Sequence, residues 1–207
     1  MALLIDETAK GIALNRWGLP ECLHVPIAAV DEDAIRNYVG DVERVVSGRG
    51  LRKAFLVPVP ERMEIDPLLP ISDHPNAGIF HARQQVWVHV AYKPYRPAYK
   101  RAFPDENIDG LILSHTVNRD TAAHKGFDFV RLTSVSGVAN VSSAFSEQWA
   151  KELHKPKQPV VARRTGPPFI QYADLSDLML MLDMMLGGGV MDAVNEGQKL
   201  LKPKAQH

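Results

Sequence analysis

The residues best equipped for chemistry lie in one stretch, LILSHTVNRDTAAHKGFDFVRLTSVSGVANVSSAFSEQW, residues 111–149. His115, Asn118 and Arg119 stand at i, i+3 and i+4, so on a helix predicted over residues 106–125 they share one face. That face otherwise carries Ile108, Leu111 and Ala122, and a buried imidazole or amide set into such a stripe needs a partner. In a functional reading His115 is a general base or metal ligand, Asn118 orients it, and Arg119 or Arg131 holds a phosphate. Asn140 adds a second amide, and Ser142 and Ser143 open a predicted helix whose backbone N–H groups suit an anion. In a structural reading the same His and Asn tie a helix to neighbouring loops, and the serines only cap.

A second set of residues suits a polyanion. Tyr92, Tyr95 and Tyr99 alternate with Lys93, Arg96, Lys100 and Arg101, mixing faces for stacking with charges for phosphate. Lys155, Lys157, Arg163 and Arg164 would extend that track along a nucleic-acid backbone. The two sets together define one candidate function, a nucleic-acid-binding protein or a His/Asn-type metal-dependent nuclease using Mg²⁺ or Mn²⁺ around His115. Nucleases of that type present their base on a β-hairpin, whereas this pair sits on a predicted helix ahead of its strand.

Other chemistries lack their residues. His74, His81 and His89 match no compact ligand spacing and no cysteine pair supports them, so no metal site is assigned. Cys22 and His24 project alike from an extended segment, which does not make a dyad. No glycine-rich phosphate loop, G-x-S-x-G elbow or H-E-x-x-H helix occurs.

The elements that would position these residues can be read from periodicity and caps. A helix is predicted over Asp31–Ser47, capped by Asp31 and closed by Gly48. Strands are predicted over Lys53–Val59, Val86–Ala91 and Phe127–Val135, and residues 58–75, with five prolines, read as an irregular connection. Prolines 94 and 97 make residues 92–101 an extended run. Helices are predicted over residues 142–154, 174–186 and 190–201. Nine of the twelve residues from Leu175 to Leu186 are Leu or Met, so one helix face cannot bury them all. Leu178, Met181, Leu182 and Met185 are therefore candidates for an interface with a protein partner or a second copy.

Of the 207 residues 45% are hydrophobic and 23% charged, which excludes a disordered tail, a collagen-like rod or a strongly basic arm. The formal charge is zero, 24 basic against 24 acidic, but it is unevenly spread. Residues 1–80 hold 8 basic and 12 acidic side chains, residues 81–170 hold 13 and 7, and residues 171–207 hold 3 and 5. The middle third also carries five of the eight histidines, so a local anion site is compatible with overall neutrality. One cysteine, no secretory leader and no membrane-length apolar run point to the cytoplasm. The expected fold is α+β, with a small mixed sheet of about three to four strands, about five helices and a C-terminal helical hairpin. Its expected organisation is a core over 1–154, a basic proline-rich linker over 155–170 and a helical segment over 171–207. The absence of catalytic signatures and the Leu/Met segment favour a non-enzymatic structural or interaction protein, a self-associating subunit of an assembly. It needs no cofactor.

Overall fold

A computed structural model describes residues 3–50, 52–140, 168–187 and 189–205. In chain order its helices are α1 (Glu7–Trp17), α2 (Glu32–Tyr38), α3 (Tyr95–Ala102), α4 (Arg119–His124), α5 (Leu175–Met181) and α6 (Gly189–Leu201). The strands are β1 (Pro26–Ala29), β2 (Arg44–Arg49), β3 (Arg52–Pro58), β4 (Gln84–His89), β5 (Ile112–His115), β6 (Phe129–Val135) and β7 (Ile170–Tyr172). They form one sheet in the order β2-β3-β4-β6-β1-β7, with β5 also on β6 and every pairing antiparallel. The class is α+β, but the expected small mixed sheet of three to four strands is overturned by seven antiparallel strands. About five helices were expected, and the described residues hold six, with residues 137–140 helical besides.

β6 organises the sheet. β4 lies along one edge of it, from Val86 opposite Leu132 to His89 opposite Phe129. On its other edge β1 and β5 lie end to end, with Ala28 opposite Val130 and His115 opposite Leu132. Flanked on both edges, β6 reads FVRLTSV and is buried on both faces except at Ser134. One face carries Phe55, Trp87, Phe129, Arg131 and Ile170; α3 packs on the other, through Ala98, Tyr99 and Ala102. The connection 59–83 covers the first face with two 3-10 turns, Pro70–Asp73 and Ala77–Ile79. α5 reaches the far end of β6, where Ser136 N donates to Asp183 Oδ1 at 2.6 Å. α6 packs on α5 and on the Pro70–Asp73 turn, and Gly197 is small enough to let Leu175 approach the helix backbone.

Three predicted elements are corrected by local chemistry. The helix over 31–47 stops at Tyr38, and Val45 and Val46 belong to β2. Gly40 is the reason: a Cβ there would collide with the Pro58 carbonyl, so α2 turns away and the β-branched valines continue as strand. The extended run at 92–101 is α3, because Pro97 falls in the first helical turn, where a missing N–H leaves no bond unmade. The helix over 106–125 is divided into β5 and α4. Gly110 takes a positive φ of 79°, and Asn118 caps a fresh helix. Of the Leu/Met segment, Leu178, Met181 and Leu182 are 0–1% exposed within the chain's own core, while Met185 remains 73% exposed.

Candidate functional site

β5 positions His115. Its ring lies on the α3 side of the sheet, edge-on to Tyr95 with ring centroids 4.6 Å apart. Burial, with the Arg119 charge second, pulls the imidazole down to about 4, so it is uncharged at neutral pH. Its Nε2 is shut off from solvent with no hydrogen-bond partner. Arg119 lies over the Tyr95 ring at 5.9 Å and donates to the Val90 carbonyl at 3.4 Å. Asn118 serves α4 instead, its Oδ1 accepting from Asp120 N at 3.0 Å and Thr121 N at 3.4 Å.

The remaining members of that set do not join it. His115 is paired with Leu132, so the side chain of Arg131, one residue away on β6, leaves by the opposite face. Arg131 is 2% exposed and donates to the carbonyls of Phe80, at 3.4 Å, and Ile79. Asn140 lies past the end of β6, in helical residues 137–140, and Ser142 lies outside the described residues. Among the described residues no three His, Cys, Asp or Glu side chains gather as a metal cage. The oxygen of Asn118 is occupied by its cap, so His115 and Asn118 do not fit a shared Mg²⁺ or Mn²⁺ ion. His74 and His89 each accept a backbone N–H through Nδ1, from Asn76 at 3.2 Å and from Ala91 at 3.0 Å.

α3 sorts the tyrosine-and-cation segment by its two sides. Tyr92 and Tyr99 are buried and Tyr95 faces His115, so the three rings are turned inward. The Tyr99 hydroxyl donates to Glu106 at 3.0 Å, and burial, with Glu106 next, pushes it up to about 12. Arg96 is structural as well, donating to the carbonyls of Leu111 and Ile108 at 3.0 Å each. Lys93, Lys100 and Arg101 remain outside, with Lys100 opposite Asp109 at 3.8 Å.

The sheet adds cations to that outer side. In β2 and β3, Arg44 pairs with Leu56, Ser47 with Ala54 and Arg49 with Arg52, which sets Arg44, Ser47, Arg49 and Arg52 on the α3 face. Arg101 donates to Ser47 Oγ at 2.7 Å, and Arg44 donates to the Arg101 carbonyl at 3.4 Å, so helix and hairpin are joined. Tyr92 closes the other end against Gly48, where an added Cβ would stand 3.0 Å from the ring. Among the described residues Arg44, Arg49, Arg52, Lys93 and Arg101 have no carboxylate at ion-pair distance. Glu32, on the face opposite these arginines, is held by Lys53 at 2.6 Å and Arg36 at 2.7 Å. Arg49 and Arg52 are direct cross-strand partners, an arrangement in which like charges destabilise a sheet.

Arg44, Arg49 and Arg52 were not among the sequence candidates. A signal existed in Gly48-Arg49-Gly50 between two valine- and phenylalanine-containing runs, which is hairpin chemistry; both glycines take positive φ, 89° and 59°. Lys155, Lys157, Arg163 and Arg164 lie outside the described residues. No family model matches this chain, and neither the curated proteins nor the solved structures give a match.

Proposed function

We propose that the chain is a non-enzymatic binding protein whose partner is a nucleic-acid backbone, held on the outer side of α3 and the β2–β3 hairpin. The observation that carries the reading is the Arg49–Arg52 cross-strand pair, with Arg44 and Arg101 on the same side, Lys93 exposed just ahead of α3, and no neutralising acid among the described residues. Such a surface gains stability when phosphates replace its condensed repulsion, and counterion release supplies affinity. With its tyrosines inward it offers charge without stacking faces, so binding should be indifferent to base sequence. The test is fluorescence anisotropy with labelled duplex and single-stranded oligonucleotides at about 50 mM salt, a concentration at which phosphate contacts dominate. Absence of binding there refutes the reading, and cleavage of either substrate with Mg²⁺ or Mn²⁺ refutes its non-enzymatic part.

A second reading, a self-associating subunit of an assembly, keeps one specific support. Met185 and Met191, 73% and 67% exposed, flank the glycine-rich connection between α5 and α6. Light scattering across a concentration series tests it. Self-association abolished by Met185→Lys would favour it, and a monomer at every concentration would remove it.

A further inference from the structure

On the sheet face opposite α3, Arg131 is buried, and Arg62 and His81, half-buried, act on it or share its field. Arg131 gives its two terminal nitrogens to the carbonyls of Ile79 and Phe80, acceptors that satisfy hydrogen bonds but leave its charge uncompensated. Arg62, in the connection covering that face, donates to the carbonyls of Tyr38, at 3.1 Å, and Val39, at 3.3 Å, where α2 ends. His81 follows Phe80 directly and bonds the Cys22 carbonyl through Nε2 at 2.8 Å. A carbonyl only accepts, so Nε2 carries the proton and Nδ1 of the neutral ring holds a lone pair.

Two atoms in this group are left over. Arg62 Nε and His81 Nδ1 are shut off from solvent without a hydrogen-bond partner. Burial lowers His81 first, and the charges of both arginines lower it further, so all three groups share one field. The two rings beside them, Tyr172 and His24, are not a source of negative charge. Tyr172, on β7, is pushed up by burial, and His24, stacked on it with centroids 5.1 Å apart, is pulled down. Asp6 is a carboxylate whose charge acts on Tyr172, but its hydrogen bonds are taken by the backbone N–H groups of Thr8, Ala9, Phe169 and Ile170, and it bonds neither arginine. Two helix-end arginines would account for the carbonyl bonds, but capping uses neither Arg62 Nε nor His81 Nδ1.

We propose that Arg62, His81 and Arg131 together bind a small inorganic oxyanion of the phosphate or sulfate type. The anion accepts from Arg62 Nε, balances the two guanidinium charges, and accepts from His81 Nδ1 once that nitrogen takes a proton from solvent. Binding therefore takes up a proton at His81, and its affinity increases as pH falls. The groups facing the imidazole are Arg62 from the connection, Arg131 from β6 and the Cys22 carbonyl.

The test uses the full chain, with inorganic phosphate and sulfate titrated against NaCl of equal ionic strength. Thermal unfolding and isothermal calorimetry report binding, and ¹⁵N-histidine NMR reports the His81 ring. The expected result is a rise in Tm beyond that in NaCl, a His81 titration displaced to higher pH, and affinity weakened on the order of tenfold in Arg62→Gln and in His81→Gln. Arg131 is too deeply set for a variant to be informative, so the two substitutions nearer the surface carry the test, and Lys199→Gln, on α6 and paired there with Glu196, is the control that should bind phosphate unchanged. Phosphate and sulfate acting no differently from NaCl would overturn the proposal. So would a phosphate effect that survives both substitutions, since the anion would then lie elsewhere.

Discussion

Replacing Arg49 with glutamine should raise stability and weaken nucleic-acid binding together. Arg49 and Arg52 stand directly opposite at the end of the β2–β3 hairpin, on the face that also holds Arg44 and Arg101. Cross-strand pairs are worth roughly 0.2–1 kcal/mol, so relieving this repulsion should stabilise the free protein by about 0.5 kcal/mol. For a chain of this size that is about 1–2 °C in Tm. Binding moves the other way. If Arg44, Arg49, Arg52, Lys93 and Arg101 each neutralise a phosphate, log K against log salt for duplex DNA has a slope of about −4.5, or an affinity loss of about 500-fold between 50 and 200 mM. Removing Arg49 reduces the slope to about −3.6 and the loss to about 150-fold. Differential scanning calorimetry and anisotropy at four salt concentrations measure both quantities on one preparation. A variant that loses stability would show that Arg49 holds the hairpin together, and an unchanged salt slope would remove it from the interface. Either result refutes the reasoning, because a structural arginine and a binding arginine differ in the sign of the first effect.

Other consequences concern the scaffold. Asp6→Ala should destabilise by about 2–4 kcal/mol in urea denaturation, since it uncaps α1 and leaves the Phe169 and Ile170 N–H groups without their acceptor; a loss within error would show that β7 does not depend on the clamp. His115 has a folded value of about 4, below its unfolded value, so the native state binds fewer protons between those limits and stability falls as pH drops from about 6.5 to about 4. The loss is at most on the order of 3 kcal/mol, and His115→Gln should flatten that part of the pH–stability curve; an NMR titration of His115 near 6.5 would contradict it. Gly40→Ala should cost about 1–3 kcal/mol through collision with the Pro58 carbonyl, read as a lower urea midpoint with an unchanged m-value.

What could be read from the sequence follows from which forces act locally. The strands at β3, β4 and β6 were legible because apolar runs ended by prolines, or strict alternation at Val86, Val88 and Val90, have one simple reading. β2 was hidden because Val39, Val42, Val45 and Val46 satisfy a helical stripe as well as a strand. The choice was made by the backbone of Pro58, eighteen residues beyond Gly40 and without any pattern of its own. β5 was hidden by its brevity: four residues become a strand only because β6 offers an unoccupied edge beyond β1. The site inherited both errors. With residues 31–47 read as helix and Gly48 as its stop, Arg44 on that helix and Arg49 beyond it had no shared face with Arg101, and with His115 on a helix its opposition to Arg131 across the sheet could not be seen.

The two groups of cations differ in the physics that opposes them, and this makes them separable. On the α3 side the repulsion acts between exposed groups in high dielectric, where salt with a Debye length of about 10 Å at 0.1 M screens both the repulsion and any polyanion. Across the sheet, Arg131 is 2% exposed and screened by little except protein, so desolvation rather than repulsion is its main burden. Ionic strength should therefore govern the first site and leave the second comparatively untouched. Phosphate that still raises Tm at 0.5 M NaCl, under conditions that have released an oligonucleotide from the α3 face, can only be held where solvent ions do not reach. Loss of both effects together at one salt concentration would mean that all the binding belongs to the exposed arginines, and that Arg62 and Arg131 serve as helix-end caps alone.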